Sequence, residues 1–151
     1  MSILALIVFG ALLGGAAASD LKSYRIPNRL CLALAAGALV LAFPASSDEW
    51  VSRGGAFLAV SIVVLSLYVM RAMGGGDVKL LAAVSLWIPL GELPVFVLAL
   101  GLAGGVQALV TMAGRRLATA GAAATMRRRM PYGVSIALAG WAWAAAAFLG
   151  R

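Results

Sequence analysis

Six apolar blocks, at residues 3–18, 30–43, 54–70, 78–90, 95–113 and 132–150, dominate this chain and leave little polar sequence for a water-facing surface. The blocks are unbroken. They lack both the three-to-four-residue spacing of a surface helix and the alternation of a half-buried strand. In lipid every backbone N–H and C=O must find a partner within the protein, and helices meet that demand inside one segment. Of the 151 residues 64% are hydrophobic and 11% charged, where a soluble domain carries roughly a quarter charged residues. The expected fold is all-α: a polytopic membrane protein, a bundle of six transmembrane helices forming one domain over residues 1–151. The block at 78–90 is short for a span, which normally takes about 20 residues.

Breakers separate the blocks. Pro27 stops the first helix and Asn28 suits the cap of the second. Pro44 and the run Ser46-Ser47-Asp48-Glu49 end the second, and Trp50 reads as an interfacial anchor. The turn Pro89–Pro94 ends the fourth. Gly10 with Gly14, and Gly101 with Gly105, are spaced to let neighbouring helices approach closely. The first block closes on small residues, Ala16-Ala17-Ala18-Ser19, as a cleavable signal would. No Lys or Arg precedes it, so a retained helix is expected.

Twelve Lys and Arg against five Asp and Glu give a net charge of +7. The basic residues lie in the loops, which makes them orientation signals in a membrane protein and argues against nucleic acid as a partner. Lys22, Arg25, Arg29, Arg71, Lys79, Arg115, Arg116 and Arg127 to Arg129 fall on one face, Arg53 and Arg151 on the other. The positive-inside rule puts the first set in the cytoplasm and both chain ends outside. The arginines at 127–129 are expected to hold anionic lipid headgroups. With one cysteine, Cys31, and no histidine, neither a disulfide, a metal site of nitrogen and sulfur ligands, nor a cofactor is expected.

Asp20 and Asp77 are the two acids that this topology leaves on the cytoplasmic side; Asp48, Glu49 and Glu92 fall outside. A carboxylate at a membrane boundary is costly and is read first as functional. Fifty-seven residues separate the pair, enough for two whole helices, so both return to the same face. Two facing carboxyls can hydrolyse a peptide bond: one, ionised, takes a proton from water, and the other, protonated, polarises the carbonyl. Helix dipoles suggest the division of roles. Asp20 follows a helix C-terminus, which disfavours its charge, and Asp77 precedes an N-terminus, which favours it. On that ground Asp77 is the readier carboxylate. Two readings from other classes compete: a small proton-coupled transporter subunit, and a non-enzymatic assembly subunit.

Three motifs in order carry a resemblance that covers nearly the whole chain. They are Asp20-Leu21-Lys22-Ser23-Tyr24-Arg25-Ile26-Pro27-Asn28, then Gly74-Gly75-Gly76-Asp77 followed by Val78-Lys79-Leu80, then Pro131-Tyr132-Gly133. They resemble the prepilin peptidases, membrane aspartic proteases of the GxGD type. The compact form is most similar to those of tight-adherence (Flp-type) pilus systems, with the archaeal preflagellin peptidases nearby. The resemblance implies cleavage of class III leaders from prepilins or pseudopilins, after a glycine, at the cytoplasmic face of the bacterial inner membrane. It names Asp20 and Asp77 as the catalytic pair and pilus assembly machinery as a further partner. The bifunctional members also N-methylate their product and carry paired CxxC motifs. This chain has no CxxC, so peptidase activity alone is expected.

The supporting residues each admit two roles. Gly74 and Gly76 remove side chains from the approach to Asp77. Lys79 either tunes Asp77 or marks the membrane boundary. Asn28, behind Pro27, either orients a substrate backbone or caps a helix. Pro131 and Gly133 either shape the floor of the site or start a helix, and Tyr132 faces either substrate or the interface. Prepilin leaders are usually basic, as is this face of the protein, so recognition is expected through the substrate's hydrophobic helix rather than bulk charge.

Overall fold

The computed structural model describes residues 2–42, 46–117 and 131–149, with the backbone alone for 115–117. The described residues form six α-helices and one 3-10 turn, with no strand: α1 (Ile3–Ser23), α2 (Asn28–Leu41), α3 (Ser47–Val69), α4 (Gly75–Ser85), the turn Leu90–Glu92, α5 (Leu93–Leu117) and α6 (Tyr132–Leu149). Four stretches, Ile3–Ser23, Ser47–Val69, Leu90–Gly114 and Tyr132–Leu149, are long and apolar enough to cross a membrane. The protein is an integral membrane protein; among the described residues four of the six expected spans reach spanning length, while α2 has 14 residues and α4 has 11. Pro44, the arginines at 127–129, and Arg151 lie outside the described residues.

Several helices extend past their apolar blocks. Nothing between Asp20 and Ser23 breaks a helix, so α1 continues to Ser23, and Asp20 sits inside its last turns rather than in a loop. Tyr24 ends it in the left-handed region, at φ 52, donating its N–H to the Asp20 carbonyl at 2.8 Å. Ser46 caps α3, its Oγ accepting the Glu49 N–H, so Trp50 and Arg53 are helical. Arg53, expected in a water-facing loop, is buried. It pairs with Glu49 one turn back and donates to the Ala42 carbonyl, so the buried charge has a counter-ion, although its Nε has no partner among the described residues.

α4 lies in the middle, packed against α2, α3 and α6. Below it Trp87 is fully buried, its Nε1–H donating to the Leu34 carbonyl at 2.9 Å. Phe9 of α1 stands 4.9 Å from the Trp87 ring and 5.8 Å, edge-on, from Trp143 of α6. Without water to drive burial, helix association in lipid depends on such close packing. The expectation for Gly10 and Gly14 holds: both lie under the Trp141 side chain, whose Nε1–H donates to the Gly10 carbonyl. The expectation for Gly101 and Gly105 does not, since among the described residues no atom of another helix stands within 4 Å of where either Cβ would be. α5 is the outer helix, and its glycine next to α6 is Gly104, which faces Tyr132. At the end of the bundle where α2 finishes and α3 begins, Trp143 donates to Glu92 at 2.7 Å, and the Leu90 N–H to Ser52 at 2.9 Å.

Candidate active site

At the other end of the bundle, the last turn of α1, the first turns of α2, α4 and α6 and the end of α3 enclose a cavity of about 1010 Å3. Asp20, Tyr24, Arg25, Asn28, the stretch Arg71 to Asp77, Lys79 and Tyr132 line it. Both acids singled out from the sequence therefore face one space, brought there by different helices. Arg25, Arg71 and Lys79 add three basic groups to its wall.

The glycine loop is shaped by contacts within the protein. A Cβ on Gly76 would lie 3.4 Å from Ile26, so the first turn of α4 touches the segment between α1 and α2 there. A Cβ on Gly75 would meet the Tyr68 ring at 3.4 Å, and one on Gly74 would meet Asp77 Oδ2 at 3.0 Å. Access to Asp77 is one consequence of the missing side chains; tight docking of α4 is another. Gly74 is the N-cap of α4, and Asp77, three residues on, accepts its backbone N–H, the reach-back of a capping box. Asp77 thus belongs to the first turn of α4 rather than preceding it.

Burial pushes the Asp77 carboxyl up, from 3.8 to about 6, with the charge of Asp20 as the second cause and the Gly74 hydrogen bond opposing both. The helix dipole, which favours the charged form of Asp77, is opposed here by burial. Desolvation outweighs the dipole at this helix end.

Asp20 is 5% exposed. Its Oδ2 accepts the Gly133 N–H at 2.7 Å. That N–H is one of the first donors of α6, which have no partner within their own helix. Asp20 follows the C-terminal direction of α1, yet it meets the N-terminus of another helix, where negative charge is favoured. The approach requires glycine: a Cβ at position 133 would stand 2.9 to 3.2 Å from three Asp20 side-chain atoms.

The remaining predicted residues fall around this pair. Asn28 is not a cap. It is the first residue of α2, Pro27 holds the N-cap position with no side-chain bond, and Asn28 Oδ1 accepts from Lys79 Nζ at 3.1 Å. Lys79 thus joins α4 to α2. Tyr132 lines the cavity, whereas Pro27, Pro131 and Gly133 are not among its lining residues. Pro131 leads directly into α6. Tyr24 and Arg71 were not singled out as site residues. Both line the cavity and end α1 and α3 in the left-handed region, at φ 52 and φ 59. That conformation costs a non-glycine residue about 1–2 kcal/mol, and the two side chains it presents to the cavity are what glycine would lose.

No curated protein and no solved structure matches the chain. A family model does, over residues 7–109, more than half of the chain, including both aspartates and the glycine loop but not the Pro131-Tyr132-Gly133 step. The first two motifs fall within this match, and the chain belongs to the type IV leader peptidase family.

Proposed function

We propose that this protein is an aspartic endopeptidase that removes class III leaders from Flp-type prepilins, cutting after a glycine at the cytoplasmic face of the bacterial inner membrane. The observation that carries the reading is the shared cavity: Asp20 and Asp77, from separate helices, line one space, and the charge of one raises the other. In this mechanism Asp77 holds the proton. Asp20, with the Gly133 N–H on its Oδ2, takes a proton from water as the water oxygen attacks the scissile carbonyl. Asp77 donates to the carbonyl oxygen, giving a neutral tetrahedral diol. As the C–N bond breaks, the proton on Asp20 passes to the departing amine, and Asp77 recovers its own from the diol. A pair that shares one proton at rest suits this cycle.

The substrate is a prepilin or pseudopilin whose hydrophobic helix lies in lipid beside the bundle, its glycine entering the cavity. Anionic headgroups gather at the basic loops, and the product passes to the pilus assembly machinery. The chain holds no CxxC pair, and we read it as peptidase only. The test is purified protein in lipid, incubated with a prepilin, with the cut site read by mass. Asp20→Asn and Asp77→Asn should each leave a folded protein with cleavage reduced at least about a hundredfold, the usual worth of an acid or base. A transporter or assembly subunit would leave the prepilin intact in the unsubstituted protein as well, and that outcome would sink the proposal.

A further inference from the structure

Gln107 lies inside an apolar block, on α5, a helix that gives the cavity no lining residue among the described ones. Amides in spanning helices are uncommon, and they bond across to neighbouring helices. Here both ends of the amide are used on α6. Nε2 donates to the Pro131 carbonyl at 2.8 Å, and Oε1 accepts from the Ser135 hydroxyl. Positions 131 and 135 are one turn apart, so the two bonds fix both the height and the rotation of the start of α6 against α5. Between those anchors stands Gly133, whose N–H donates to Asp20 Oδ2 at 2.7 Å.

We infer that Gln107 is a positioning residue for Asp20, acting through the first turn of α6. This rests on the peptidase reading of the Asp20–Asp77 cavity. The physical argument is tolerance: the Gly133 N–H bonds well to Asp20 only over a few tenths of an ångström and a modest angle. A helix start free to turn or slide breaks that bond before it unpacks the bundle, because the α1–α6 contacts at Phe9, Leu13, Gly140 and Trp143 lie deeper in the helix. Gln107 touches no reacting atom, so its loss should change the rate of the chemical step and leave substrate binding in place.

The experiment replaces Gln107 in the full chain in lipid, as Gln107→Leu and as Gln107→Asn. The second variant keeps an amide in the membrane but is one methylene too short to reach both anchors, and it decides the question if the first does not fold. Three readouts are taken: kcat and KM for prepilin cleavage, hydrogen exchange of the Gly133 amide by NMR, and the thermal midpoint. The expected result is kcat lower by about tenfold or more, KM within about twofold, and Gly133 exchange faster by about tenfold, with the midpoint little changed. Ser135→Ala, which removes one anchor, should give the same pattern more weakly. Unchanged Gly133 exchange, or a loss carried by KM alone, would overturn the inference. If the unsubstituted protein cleaves no prepilin, the peptidase reading fails by itself, while Gly133 exchange still reports whether Gln107 holds that turn.

Discussion

Replacing Asp20 with Asn should lower the titration of Asp77 by about one pH unit, to near 5, without returning it to 3.8. The magnitude follows from Coulomb's law: a unit charge across a shared space, taken as about 10 Å away in an effective dielectric of about 20, costs about 1.7 kcal/mol, or about 1.2 pH units. Asp77 stands at about 6, raised first by burial and then by Asp20. The substitution removes the second cause and leaves the first, which exceeds the opposing bond from Gly74. The chain has three aspartates, so with Asp carboxyl carbons labelled, the Asp20→Asn protein in lipid nanodiscs shows two aspartate signals, from Asp48 and Asp77. An Asp48→Asn companion assigns them. The single variant also removes the ambiguity of a coupled pair, whose pKa values belong to neither member. An Asp77 titration that does not move would mean that the two acids do not share a field, and the proton-sharing mechanism would fall with it.

Further outcomes follow from the same geometry. Because a raised pKa keeps Asp77 protonated to higher pH, the form with the proton in place is lost as pH rises through about 6; kcat/KM of the free enzyme should show its basic limb there. Gly133→Ala should cut kcat by about 10- to 100-fold, since its Cβ displaces Asp20 by a fraction of an ångström, and steady-state cleavage rates check this. Gly140→Ala puts a Cβ 2.5 Å from Leu13 in the α1–α6 contact and should cost about 1–3 kcal/mol of stability, measured by denaturation in detergent micelles. Gly105→Ala, with open space around it, should instead leave stability unchanged or raise it by about 0.5–1 kcal/mol.

Hydropathy and breakers are local properties, so the chain's order of residues determined by itself that this is a helical membrane protein, roughly where its helices lie, and that Asp20 and Asp77 return to one end. The motif residues around them were legible for the same reason. Where the reading stopped, the deciding partner was remote. Asp20 lies in the last turns of α1, yet its carboxylate meets the N-terminus of α6, 113 residues on. Asp77 was assigned the readier charge from its own helix dipole, while burial among neighbouring helices pushes its carboxyl up instead. Arg53, Asn28, Gln107 and the Gly101–Gly105 pair each depended on which helix stood opposite, and local pattern carries no record of that. A lone Gln in an apolar block was the available signal for Gln107. Tertiary structure alone decided which donors those helix ends would find, because unpaired groups in a lipid-solvated bundle are satisfied by whatever packing brings within reach.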